Sequence, residues 1–124
     1  MSNKIIAFDL DDVLCFRTSN IGGIEKYYSC KPIKEMIKTL NNCKKEGYRV
    51  LIYTSRGMTN FKGNRDNIYS NLYELTIEQL KEWGVNYDQL IMGKAHYDLL
   101  IDDKAINHKR ISSIDDIKSF LQDS

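Results

Sequence analysis

The chain of 124 residues contains one proline, Pro32, and no stretch rich in serine, glycine or proline. Nothing in it marks a linker, an internal repeat or a low-complexity tract, so it reads as a single domain, 1–124. Long hydrophobic runs are missing as well. Val50-Leu51-Ile52-Tyr53 is among the longest, far too short to cross a bilayer. The N-terminus has no long apolar region followed by a small-residue cleavage site and does not look like a secretory signal, so a cytoplasmic location is expected. The cysteines, Cys15, Cys30 and Cys43, are odd in number and form no CxxC pair, so neither a disulfide framework nor a zinc site is expected. Histidine is limited to His96 and His108, neither with a partner at metal-ligand spacing, and surface or structural roles are the default. An excess of one charge is also absent. Lysine and arginine number 18 against 17 acidic residues, a net charge of +1 that argues against nucleic acid or an anionic membrane as the main partner.

What remains is ordinary globular material, 42% hydrophobic and 28% charged. Ile5-Ile6-Ala7-Phe8 ends abruptly in carboxylates and reads as a buried parallel strand. Pro32 can open a helix that continues through Ile33, Met36, Ile37, Leu40 and Cys43 and stops at Gly47. Val50 to Tyr53 is a second strand. Leu72, Leu75, Leu80 and Trp83 belong to one or two helices ending at Gly84. Leu90-Ile91-Met92 is a third strand and Leu99-Leu100-Ile101 a fourth, and Ile114, Ile117, Phe120 and Leu121 form the stripe of a closing helix. This alternation predicts a three-layer α/β/α sandwich with a mainly parallel sheet.

In such sheets ligands bind beyond the carboxyl ends of the strands. The reactive residues fall there. Asp9 and Asp11 follow the first strand, Thr54, Ser55 and Arg56 the second, Lys94 the third, and Asp102 with Asp103 the fourth. Carboxylates this close repel and raise each other's pKa. Two such pairs at two strand ends call for a hard divalent cation, magnesium above all. Solvated carboxylates that cap helices are the bland alternative. Thr54, with Ser55 and the amides beyond it, can hold a phosphoryl oxygen, although a Thr-Ser after a strand also serves as a turn or helix cap. Lys94 can balance the carboxylates and a bound phosphate, or stand as a solvated lysine. Arg56 can grip a phosphate or carboxylate through two N–H groups, or sit in a surface ion pair. Tyr27, Tyr28, Tyr69 and Tyr73 flank the expected mouth and are explained mainly by packing, as is Cys15.

In their order and placement, Asp9-Leu10-Asp11-Asp12-Val13, Thr54, Lys94 and Asp102-Asp103 resemble the four motifs of the haloacid dehalogenase (HAD) superfamily of phosphotransferases, from about Lys4 to Asn107. The stretches Ile52 to Met58 and Ile101 to Asn107 are similar to small HAD phosphatases of capsule and surface-polysaccharide biosynthesis. The resemblance implies Asp9 as nucleophile and Asp11 as general acid and then base. Thr54 and Lys94 would hold the phosphoryl group. Magnesium would be bound by Asp9, the backbone carbonyl of Asp11, and one or both of Asp102 and Asp103. The activity implied is phosphomonoester hydrolysis through an aspartyl-phosphate, on a phosphorylated sugar or capsule precursor. Same-superfamily rivals act on polynucleotide ends or phosphoproteins, and a receiver-like signalling module is a further alternative. Neither the interval from Asp12 to Pro32 nor that from Thr54 to Leu72 is long enough for a folded cap. A capless enzyme is therefore expected, with Gly57 to Asn71 as a mobile lid. Its open site would take a large substrate or be closed by a neighbouring subunit.

Overall fold

The computed structural model describes residues 4–19 and 22–122. Its centre is a parallel sheet of three strands, β1 (Ile5–Phe8), β4 (Arg49–Thr54) and β5 (Gln89–Met92), in the order β1-β4-β5. A two-stranded antiparallel ribbon, β2 (Cys15–Phe16) with β3 (Lys31–Pro32), lies apart from it. Helices α2 (Lys34–Lys45) and α3 (Arg65–Glu82) make the two crossovers of the sheet, with the short α1 (Glu25–Tyr28) before them and α4 (Ile114–Leu121) closing the chain. The result is a small α/β sandwich of Rossmann-like type, its parallel sheet flanked by helices and carrying no cap. No helix among the described residues is long and apolar enough to cross a membrane.

Alternation along β4 explains the core. Val50, Ile52 and Thr54 are buried, whereas Arg49 and Tyr53 on the opposite side of the strand are exposed. The buried set meets Ile37 and Leu40 of α2 and Leu72 and Leu80 of α3 in one continuous cluster. The turn that follows α3 is tied to α2. Asn41 Nδ2 donates to the Gly84 carbonyl at 2.9 Å, and the Asn86 amide donates back to Asn41 Oδ1 at 2.8 Å. The register pairs Phe8 with Ile52, and Thr54 with Met92, so all three strands end at one edge. The residues just beyond them are therefore neighbours.

Three local expectations change, and one open alternative is resolved. Pro32 does not open a helix: it pairs with Cys15 in the ribbon, and α2 starts two residues later, after Ile33. One continuous helix covers the Leu72–Leu80 stripe and begins as early as Arg65, where the Asn64 side chain accepts from the Asn67 amide at 3.0 Å. The expected lid therefore divides into a turn-rich stretch up to Asn64 and the first two turns of α3. Leu99-Leu100-Ile101 forms no strand, and Leu99 and Ile101 are 77% and 90% exposed. Among the described residues neither β1 nor β5, the edges of the parallel sheet, pairs with this segment, and without a neighbour it gains no ladder bonds.

Candidate active site

The site begins where β1 turns. Asp9 Oδ1 accepts from the Leu10 amide at 2.8 Å. The chain then folds back sharply, with the amides of Val13 and Leu14 both donating to the Leu10 carbonyl. Asp12 takes φ of 71° in this turn, and its amide donates to the Cys15 carbonyl at 2.6 Å. Asp11 is thereby bridged to Cys15 and turned inward.

At the next two strand ends, the Lys94 amide donates to the Thr54 carbonyl at 3.0 Å, extending the β4–β5 ladder by one bond. Gly93 makes this approach possible. Its φ is +89°, and a Cβ there would lie 2.7 Å from Arg65 Nε. Lys94 Nζ then reaches 3.6 Å from Asp9 Oδ2, with the Tyr53 and Tyr97 rings 5.8 and 5.2 Å away. The two partners respond differently to burial. Burial pushes the Asp9 carboxyl above the ordinary aspartate range; Lys94 and the Leu10 amide oppose this without cancelling it, and Asp11 adds to the rise. Burial alone would lower Lys94, but the Tyr97 hydroxyl and Asp9 together hold its ammonium above the usual lysine value. The ion pair therefore keeps Lys94 charged more effectively than it relieves Asp9.

Arg56 grips a carboxylate, but one of the chain's own. Its side chain is buried and all of its donors are engaged, so it is neither a surface ion pair nor a free phosphate clamp. Nε donates to Asp11 Oδ2 at 3.1 Å and Nη2 to Asp11 Oδ1 at 2.8 Å, the two-pronged geometry that suits a carboxylate. Nη1 donates to Gln79 Oε1 at 2.6 Å and to Thr76 Oγ1 at 3.1 Å, both on α3. The guanidinium also lies 4.9 Å from the centre of the Tyr27 ring. Tyr27 is held in turn: its hydroxyl accepts from the Gly57 amide at 3.1 Å, and its carbonyl accepts from Gln79 Nε2 at 2.6 Å. Gly57 has φ of +82°, and a Cβ there would strike Leu72 Cδ1 at 2.5 Å. Among the described residues no buried side-chain polar atom lacks a partner.

Asp9, Asp11, Thr54, Ser55, Arg56 and Lys94 line one cleft of about 360 Å³, with Arg17 and Lys26 adding positive charge. His96, expected to be a bystander, also lines it. Thr54 borders the cleft, and its hydroxyl accepts from the Arg56 amide at 3.0 Å, as in the turn reading. Asp102 and Asp103 are not brought into this set. Both are exposed, and Asp102 accepts from the Lys104 amide at 3.1 Å in a local turn. Where three potential metal donors converge among the described residues, they are Asp11, Cys15 and Cys30, a group that could hold a metal ion, with two sulfur ligands and one oxygen. A larger hollow of about 630 Å³, between α2 and the end of α3, contains no pair of facing carboxylates and lies away from this chemistry. Thr76 and Gln79 are the members of the site that sequence reasoning missed, and Tyr27, placed near the mouth, lies against the Arg56 guanidinium. The available signal was a pair of polar residues, three apart, within the buried stripe of α3.

No family model matches the chain, and no curated protein matches it. It is similar to a crystal structure of a structural-genomics target from Vibrio cholerae, with a TM-score of 0.80 and 26% identity over 96% of this chain and 97% of that one. This likeness covers the whole α/β architecture.

Two outcomes follow from the site's electrostatics. Arg56→Ala leaves a largely buried carboxylate unpaired and should cost about 3–5 kcal/mol in urea unfolding. A loss under about 1 kcal/mol would mean that the pair behaves like an exposed one. The raised Asp9 pKa means that the folded chain holds this proton more tightly than the unfolded chain does. Its contribution is therefore most favourable at low pH and is lost as pH rises through the folded value. In metal-free protein, the melting temperature of wild type relative to Asp9→Asn should fall as pH rises above the ordinary aspartate value of 3.8. A rise instead would contradict the assignment.

Proposed function

We propose that this protein is a phosphomonoester hydrolase of the HAD type, dependent on magnesium and working through an aspartyl-phosphate on Asp9. The observation that carries the reading is the convergence of Asp9, Asp11, Thr54 and Lys94 on one cleft, with Lys94 Nζ 3.6 Å from Asp9 Oδ2.

The chain's own groups divide the work. Asp9 attacks phosphorus directly, since a carboxylate needs no prior deprotonation. Lys94 holds Asp9 in place and offsets the charge of the incoming dianion. Thr54 and Ser55 border the cleft, where their hydroxyls can receive phosphoryl oxygens. Asp11, held as a carboxylate by Arg56, is the base that takes a proton from the water that cleaves the acyl phosphate; to serve the departing alcohol as an acid it must first take up a proton on an oxygen that Arg56 releases. Arg56 is a positioning residue, fixing the plane of the Asp11 carboxylate through two hydrogen bonds. Arg17 and Lys26 draw an anionic ester toward the opening.

Asp9 and the Asp11 carbonyl offer hard oxygen donors. A partly buried carboxylate whose charge Lys94 does not fully relieve suits a divalent cation. Magnesium, when bound, would neutralise the phosphoryl oxygens and the developing charge of the transition state. Asp102 or Asp103 would complete its ligands if the exposed segment that carries them folds onto the cleft. The substrate proposed is a phosphorylated sugar or related capsule precursor, on the strength of the motif resemblance.

The test is hydrolysis of a panel of sugar phosphates, nucleotides and phosphopeptides with and without magnesium. Sugar phosphates should be turned over best, only with the metal, and Asp9→Asn should be inactive yet folded; a fully active Asp9→Asn protein removes the mechanism. Preference for nucleotide or phosphopeptide ends would retain the chemistry and change the substrate. Millimolar magnesium should also raise the melting temperature. Asp102→Asn or Asp103→Asn should weaken that response by about tenfold in magnesium concentration. An unchanged response in both variants would remove these residues from the metal site.

A further inference from the structure

The proposed reaction has no use for the two thiols beneath Asp11. Cys15 is fully buried and Cys30 is 9% exposed. Cys15 Sγ lies 3.4 Å and Cys30 Sγ 3.7 Å from Asp11 Oδ1, and the three atoms lie within 4.8 Å of one another. A tetrahedral zinc ion with bonds of ~2.3 Å to sulfur and ~2.0 Å to oxygen separates sulfur from oxygen by ~3.5 Å. The two sulfur–oxygen distances already match that edge.

One side of this triangle of donors is covered by a cation of another kind. Arg56 Nη2 sits 2.8 Å from Asp11 Oδ1 and 3.7 Å from each sulfur. The three donors thus already gather around one positive centre. We propose that Asp11, Cys15 and Cys30 form a site for a thiophilic divalent cation such as Zn²⁺ or Cd²⁺, and that its occupation is mutually exclusive with the hydrogen bond from Arg56 Nη2 to Asp11. Binding forms two metal–sulfur bonds and one metal–oxygen bond and releases the two thiol protons to solvent. Nη2 must withdraw from Oδ1, and Asp11 is lost as a proton carrier. Soft-metal binding therefore inhibits; this last clause rests on the phosphatase reading, whereas the site itself does not.

A disulfide is the competing use of two neighbouring thiols, and the ribbon disfavours it. Cys15 pairs with Pro32, so Cys30 stands two residues off the register position. Such diagonal neighbours are roughly 7–8 Å apart at Cα. A disulfide seldom spans more than about 6.8 Å. An ion that holds the sulfurs apart fits this spacing better than a direct bond. Magnesium, a hard ion that favours oxygen, is no competitor here.

The test is a Cd²⁺ titration of the reduced, magnesium-loaded protein, followed by the ultraviolet sulfur-to-metal charge-transfer absorption. Wild type and Cys43→Ser should both saturate at one equivalent. Cys30→Ser should bind at least about tenfold more weakly and with a smaller absorption. Should that variant fail to fold by circular dichroism, Cys30→Ala carries the same expectation. An absorption that persists undiminished without Cys30, or is absent from wild type, overturns the site. A second arm measures phosphatase turnover with added Zn²⁺, where wild type should be inhibited and Cys30→Ser resistant. Turnover that is insensitive to Zn²⁺ overturns the inhibitory role. Absence of any phosphatase activity counts against the proposed reaction alone, because the absorption reads the site independently.

Discussion

The pair formed by Asp11 and Arg56 is the constraint from which the rest of the site is organised. Removing a guanidinium from water is expensive, and a single carboxylate does not compensate for it unless the remaining donors are satisfied too. Here they are. Thr76 and Gln79 of α3 take the inner nitrogen, the Tyr27 ring covers the face, and the Asp11 carboxylate accepts from the outer edge. The network ties the turn after β1, the turn after β4, the short helix α1 and the long helix α3 into one unit. A fully satisfied network of this kind specifies a single arrangement, because each partial break strands a buried polar group.

The parallel register supplies the second half of the geometry. Parallel strands deliver the residues beyond them to a common edge, and Asp9 and Lys94 meet there although 85 positions separate them (94 − 9). Neither would be notable alone. Their proximity depends on the β4–β5 ladder continuing by one bond, from the Lys94 amide to the Thr54 carbonyl. It also depends on Gly93 letting the chain pass Arg65. Backbone order thus places the charges, and their partial burial gives Asp9 and Lys94 their altered proton affinities.

Much of this was legible in the amino-acid order. The three central strands, the α2 and α4 stripes and the grouping of Asp9, Asp11, Thr54 and Lys94 follow from short apolar runs that stop at polar residues. Arg56 was not legible in the same way. Whether an arginine faces solvent or a buried carboxylate depends on what the neighbouring helix presents, and Thr76 and Gln79 are distant in sequence. The ribbon was hidden for a related reason. Two-residue strands leave no periodicity, and Pro32 carries a strong helix-opening signal that its pairing with Cys15 overrides. Leu99 to Ile101 shows the opposite case, a strand-like composition with no pairing partner, since sequence can propose a strand but cannot supply its neighbour.

The ladder that carries Lys94 also sets where this chain can tolerate a change of length. The turn at Lys62 and Asn64 is exposed and lies outside the sheet, and an added residue there lengthens a loop at little entropic cost. Between Gln89 and Lys94 the same addition is of a different kind. One inserted residue reverses the side on which every later side chain of the strand projects, so the lysine would leave the cleft and its ammonium would face away from Asp9. Insertions and deletions should therefore accumulate on one side of α3 and be purged from the other.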